Sequence, residues 1–306
     1  KQAVELYQQI ASGSPQHQLA AQAVYNAAFG AMELGNHKQA LQLVQQFTSR
    51  HTDHELLQDA RYVAAESLLQ LNRFAEAEAA FAKLIQSNPQ HPQRSQWQVR
   101  HGAALYIGKK YDEALKLLDR LAESLSIKSQ LAEVHFLRGA CNFAKRQYDA
   151  ARKCFRGSML SDALWVRADE NLLFLARAHR KLENLKEATS TAETILKQLP
   201  NSRILDQVHY RLGEFAYAAK DFSKSQASYD LVISKYPQSR FVPFAHYGRA
   251  WSQLKRKQFA GAHKSFDAFL SAYPQHSLAH EALFARGMAL RQLGQHSKAL
   301  ADLQKF

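Results

Sequence analysis

The chain has 306 residues, of which 46% are hydrophobic and 22% charged, with 12 Gly, 7 Pro and 2 Cys. That composition excludes a collagen-like, low-complexity or disulfide-scaffold protein. Lys and Arg exceed Asp and Glu by 40 to 27, a net charge of +13, which favours solubility and attraction to acidic partners and leaves the fold open.

In chain order, Lys1 to Ala11 reads as a lone helix, the second of a pair, stopped by Ser12-Gly-Ser-Pro15. A first hairpin pairs Gln18 to Leu34 with His37 to Arg50 across the turn signal Gly35-Asn36. A second pairs Glu55 to Leu71 with Phe74 to Gln86, and Asn88-Pro-Gln-His-Pro92 separates it from a third, Gln93 to Ile107 with Tyr111 to Glu123. The fourth, Ser129 to Lys145 with Tyr148 to Met159, lacks proline at both ends. The fifth, Val166 to Leu182 with Leu185 to Gln198, follows a stretch at Leu160 to Trp165 where a bend or a looser interface fits the pattern. The sixth is built from Ile204 to Ser239, turning at Ala218-Ala-Lys-Asp221. Ser202 and Ser239 precede first helices and suit N-capping. The seventh follows Ser239, and the eighth pairs Leu278 to Leu293 with a helix from His296.

The period is strict. Ala3, Ala40, Ala77, Ala114, Ala151, Ala188, Ser225, Ala262 and Ala299 recur every 37 residues. Twelve residues before each of the last eight stands Ala28, Ala65, Gly102, Gly139, Ala176, Gly213, Ala250 or Gly287. Small side chains facing each other across a helix pair permit close approach. Pro15, Pro89, Pro200, Pro237 and Pro274 recur in phase, with Thr52, Ser126 and Ala163 in the remaining places. The expectation is one all-α stack over residues 1–306, a partial leading repeat at 1–17 and eight hairpins over 18–306, with its core between neighbouring repeats. The chain lacks an initiator Met and a polar end cap, so it reads as a segment of something longer. The exposed face of its last helix, with Ala299, Leu300 and Leu303, predicts a continuation or burial by another molecule.

The small and aromatic framework resembles the tetratricopeptide repeat, over essentially the whole chain. The endings Lys235-Tyr-Pro-Gln-Ser239 and Ala272-Tyr-Pro-Gln-His-Ser277, with Ala245-His-Tyr-Gly248, are similar to the subclass in bacterial cell-envelope assembly and division-coordination proteins. That resemblance implies a right-handed α-α superhelix with first helices on its concave surface, protein or peptide binding, and a location in the envelope or periplasm before the cytoplasm.

Within the first helices, Tyr210, Tyr217, Tyr247 and Trp251 share one side by helical spacing, an aromatic stretch suited to anchoring a peptide. Packing between hairpins accounts for the same series. Arg177 and Arg180 share that phase and suit a carboxylate or an acidic peptide, although an ordinary solvated surface is the simpler account of them. Arg138, Lys145, Arg152 and Lys153 belong to the same basic region, which shows few nearby acids in sequence.

Nucleic acid is disfavoured, because no zinc finger, helix-turn-helix or sheet-borne aromatic motif accompanies the charge. No apolar run approaches a membrane span. Fourteen histidines raise a metal reading, but His51, Asp53 and His54, or His276 and His280, supply no third and fourth ligand by pattern. Whether Cys141 and Cys154 are bridged is open. No phosphate loop, nucleophile elbow or carboxylate pair supports catalysis or a cofactor. Two readings remain: a noncatalytic scaffold that binds a partner polypeptide, or a structural connector whose repeats hold flanking domains or self-associate through exposed end helices.

Overall fold

The computed structural model describes residues 1–305. Among them every regular element is an α-helix, and consecutive helices pair as hairpins to form a tetratricopeptide-like solenoid. The chain divides into two compact units, Lys1–Trp165 and Val166–Phe306.

The first unit runs α1 Gln2–Gly13, α2 Ala20–Glu33, α3 His37–Arg50, α4 Leu57–Gln70, α5 Phe74–Ser87, α6 Arg94–Ile107, α7 Tyr111–Ser124, α8 Lys128–Ala144 and α9 Tyr148–Ser161. The second runs α10 Ala168–Lys181, α11 Leu185–Gln198, α12 Leu205–Ala218, α13 Phe222–Lys235, α14 Val242–Lys255, α15 Phe259–Ala272, α16 Ala279–Gln292 and α17 His296–Lys305. Within each hairpin the helices are antiparallel neighbours because the connection is too short for anything else. At α8, where no proline intervenes, the helix starts earlier and extends to 17 residues.

Eight turns share one device. Gly35, Asn72, Lys109, Arg146, Glu183, Lys220, Lys257 and Gly294 all have left-handed backbones, the six non-glycines with φ of 60 to 64°. The amide one residue further on reaches back across the turn, Asn36 to the Ala31 carbonyl at 2.8 Å and Asp221 to that of Ala216 at 2.9 Å. These bonds satisfy carbonyls that the end of a helix leaves open. Glycine takes this conformation without a Cβ penalty; the other six residues pay about 1 kcal/mol for it.

The core follows the 37-residue series. Ala40, Ala77, Ala114, Ala151, Ala188, Ser225 and Ala262 are fully buried. Ala3 is exposed. Ala299 is buried as well, which corrects its expected exposure; only Leu300 and Leu303 of that set face solvent. The small pairs do meet, since Ser225 Oγ donates to the Gly213 carbonyl at 2.9 Å. The glycines, however, make room chiefly for a large side chain sixteen positions on. A Cβ at Gly139 would lie 2.5 Å from Phe155, and one at Gly213 would lie 2.6 Å from Tyr229.

Links between hairpins repeat too. His17, His54, His91 and His276 each accept through Nδ1 the amide two residues on, at 3.1 to 3.2 Å. Ser202 and Ser239 do the same through Oγ for Ile204 and Phe241. The serine hydroxyls then donate to Asp169 at 2.6 Å and Asp206 at 2.5 Å on the preceding first helices. This corrects the N-cap expectation: Ile204 and Phe241 hold the N-cap positions, and the serines close the turn before them. It also gives four histidines a structural role in place of metal ligation.

Candidate functional site

Within each unit, first helices lie side by side. In the first unit α2, α4, α6 and α8 touch in succession, and in the second α12, α14 and α16 do, whereas among the described residues second helices pack on no other second helix to that extent. The row of first helices is therefore the tighter face of each unit, and side chains at matching positions of successive repeats become neighbours there.

In the first unit that face carries a polar ladder. Arg100 on α6 reaches back to Glu66 on α4 with two bonds of 2.7 and 2.8 Å, and forward to Glu133 on α8 with one of 2.9 Å. Gln70 adds a 3.0 Å bond to Glu66. All three charged side chains are at most 20% exposed, so each depends on its partners rather than on water. Burial pushes the neighbouring Tyr62 phenol up to about 12, and Gln96 donates to its oxygen at 3.4 Å. Sequence reading singled out none of these as a site. Their separations of 34 and 33 residues, a repeat less three or four, were the available signal.

In the second unit the expected residues fall on three first helices: Arg177 and Arg180 on α10, Tyr210 and Tyr217 on α12, Tyr247 and Trp251 on α14. All six are partly buried. Tyr210 stacks on Phe241 with ring centroids 5.0 Å apart, and its hydroxyl donates to Glu214 at 3.3 Å. Tyr247 packs against Phe269 at 5.9 Å and Phe266 at 6.2 Å. Tyr210 therefore contributes to the interface between hairpins, and Tyr247 to the packing of α14 on α15 inside its own hairpin. Trp251 stands perpendicular to Phe266 at 6.1 Å, with the Lys255 ammonium 5.9 Å from its ring centroid. Tyr217 meets Phe222 edge-on at 5.3 Å. Burial raises the Tyr210, Tyr217 and Tyr247 phenols above their ordinary value, with the Tyr247 hydroxyl also acting on that of Tyr217. They remain neutral hydrogen-bonding groups. Arg177 lies 4.7 Å over the Phe174 ring.

The charge is unequally shared. The second unit holds 21 basic and 12 acidic residues, +9 of the +13. Of its acids, Glu170, Glu214, Asp230, Asp267 and Asp302 are engaged by Arg167, Arg211, Arg249 and Arg286. In the first unit the basic region has more acidic company than sequence order suggested: Arg138 pairs with Asp119, Lys145 with Asp112, and Arg152 and Lys153 with Asp149. The first two pairs join charges far apart in sequence across neighbouring helices, and Asp149 shares α9 with its two partners, which corrects that reading.

Among the described residues no group of three or more His, Cys, Asp or Glu is arranged to hold a metal, and no helix is long and apolar enough to cross a membrane. Cys141 and Cys154 are free thiols. Burial pushes Cys141 up to about 12, far from the thiolate that reactivity requires.

Against protein-family models, the chain matches the family described as YfiO, outer membrane lipoprotein, twice in tandem, over residues 57–212 and 204–305. The chain belongs to the YfiO family. Similar solved structures include a tetratricopeptide repeat protein from Parabacteroides merdae, with a TM-score of 0.57 at 14% identity, covering 81% of this chain and 91% of that one. Another is PilF of Pseudomonas aeruginosa, with a TM-score of 0.57 at 16% identity and coverages of 72% and 93%. A third is YrrB, described as having an unusual peptide-binding site, with a TM-score of 0.52 at 18% identity and coverages of 66% and 97%. At these identities the likeness is one of fold. Comparison with the curated proteins finds no match. The two matched segments meet at residues 204–212, so the YfiO pattern runs through the hairpins of both units.

Proposed function

We propose that this chain is a noncatalytic scaffold that binds a partner polypeptide along the first-helix face of its second unit. The observation that carries the reading is the alignment of Tyr217, Tyr247 and Trp251 on adjacent first helices. Their inner edges are held by Phe222, Phe266 and Phe269, and each ring remains only partly covered. Rigid aromatics with one open edge add binding area at little cost in side-chain entropy. Arg177 and Arg180 on α10 share the helical phase of that face and would add positive charge to it, and the surplus of +9 in this unit favours an acidic segment through charge-assisted bonds. Membership of an outer-membrane lipoprotein family supports action at the bacterial cell envelope, and YrrB offers a precedent for peptide recognition on this fold.

The test is capture of partners from an extract of the source cells with the parent chain and with Tyr217→Ala/Trp251→Ala, after circular dichroism and melting confirm that both are folded. Loss of a partner with the variant supports the site. Equal capture overturns it.

A second reading, self-association, is favoured by the exposed Leu6 and Ile10 on α1 and Leu300 and Leu303 on α17. It predicts a concentration-dependent mass that disappears when residues 297–306 are removed, and an unchanged monomeric mass would exclude it.

A further inference from the structure

Two side chains at the end of the first unit stand almost entirely in water. Leu160 is 87% exposed and Leu164 is 91% exposed, while no other large apolar residue of that unit exceeds Leu6 at 58%. Their backbone is well held. Asp162 Oδ1 accepts the Leu164 amide at 3.0 Å, and the Trp165 amide donates to the Asp162 carbonyl at 3.3 Å. The Trp165 indole is buried against Phe136, with ring centroids 5.4 Å apart. A buried tryptophan thus anchors the segment while the leucines project outward.

The helix leading to them continues the pattern. Lys153, Arg156 and Leu160 are exposed and follow at spacings of three and four, which places them on one stripe of α9. The nearby carboxylates are occupied. Asp149 takes Arg152 at 2.6 Å and Lys153 at 2.9 Å, and Asp162 is bonded to the Leu164 amide. The ion pair of Lys153 is solvent-exposed, so it is weak and exchangeable.

We propose that this stripe is a peripheral contact for an anionic phospholipid surface, with Leu160 and Leu164 entering the acyl boundary and Lys153 and Arg156 meeting headgroup phosphates. Seven residues of helix separate Lys153 from Leu160, about 10 Å of rise. That separation lets the cations stay at headgroup level while the leucines at the helix end reach the headgroup/acyl boundary, which an interfacial apolar face enters by roughly 5–10 Å. A protein partner fits less well, because interface anchors are enriched in aromatics and Arg and seat in well-packed pockets, whereas here two aliphatic side chains project from the end of a helix beside cations.

The test is flotation of the full chain with phosphatidylcholine vesicles containing about 30 mol% phosphatidylglycerol, against phosphatidylcholine alone, at low and high salt. Flotation with the anionic vesicles, weakened by salt, is expected. Leu160→Ser/Leu164→Ser should lower the bound fraction by about tenfold, with an unchanged circular dichroism spectrum because neither leucine is packed in the core. Lys153→Gln/Arg156→Gln should remove the preference for the anionic vesicles. Independently, the emission that Leu164→Trp adds to that of the parent, whose Trp97, Trp165 and Trp251 give the background, should shift to the blue on adding these vesicles. No flotation of the parent, equal flotation of the serine variant, or an unshifted emission at Trp-substituted position 164 would overturn the proposal. So would a leucine-dependent dimer without flotation, which would assign the stripe to a second copy of the chain.

Discussion

The hydroxyls of Ser225 and Ser252 meet at 2.9 Å in the buried contact between α13 and α14. Each also reaches the carbonyl of a glycine on a first helix, Ser225 that of Gly213 at 2.9 Å and Ser252 that of Gly248 at 2.8 Å. Tyr229 is packed against the same two glycines, where a Cβ would come within 2.5 to 2.6 Å of its ring. The serine pair and the ring occupy one tightly filled layer, and neither hydroxyl has water to fall back on. Ser225→Ala should cost about 1 kcal/mol, as should Ser252→Ala, but the double variant should cost less than the sum because the contact the two hydroxyls share is already lost in either single variant. Urea melts of the four proteins check this, and strict additivity would contradict a shared pair.

Substitution at Arg100 should be more damaging. Arg100→Met leaves Glu66 and Glu133 facing each other, largely buried and without their cation, at a cost of about 3 kcal/mol. Adding Glu66→Gln and Glu133→Gln should recover most of that stability. Denaturant unfolding of the single and triple variants separates loss of charge compensation from loss of packing.

Glu183→Gly, Lys220→Gly and Lys109→Gly should each stabilise the chain. These residues hold left-handed turns with φ of 61 to 64°, a position that Gly35 and Gly294 fill elsewhere. Relief of the steric cost exceeds the added freedom of the unfolded chain by roughly 0.5 kcal/mol per site. A rise in the urea midpoint at unchanged slope is the expected signature.

Stability should fall on mild acidification. Burial holds His101, His135, His209 and His246 below the ordinary imidazole value of 6.5. The folded chain therefore binds fewer protons than the unfolded chain in this range. Their contribution is complete above 6.5 and is lost as pH drops towards the depressed folded values. Melting temperatures at about pH 7.5 and about pH 5.5 should differ, and His135→Gln with His246→Gln should narrow the difference. An unchanged difference would place the titration elsewhere.

Much of the architecture was legible in the residues. The 37-residue alternation of small and large side chains determined, by itself, that the chain is helical, that helices pair in hairpins, and where nearly every hairpin begins and ends. The cause is local: helical spacing and short connections depend on near neighbours in sequence. Only the tertiary structure decided which polar residues combine. Arg100 meets Glu66 and Glu133 because repeats stack with first helices adjacent, and Lys145 finds Asp112 by the same stacking. Nor did spacing distinguish Tyr210, committed to a stack on Phe241, from Tyr217, which meets a single ring among the contacts resolved. The two share a helix phase, but the side chains covering each come from different neighbours. Local periodicity specifies the repeat, whereas burial and charge pairing depend on surfaces that exist only after the repeats have packed.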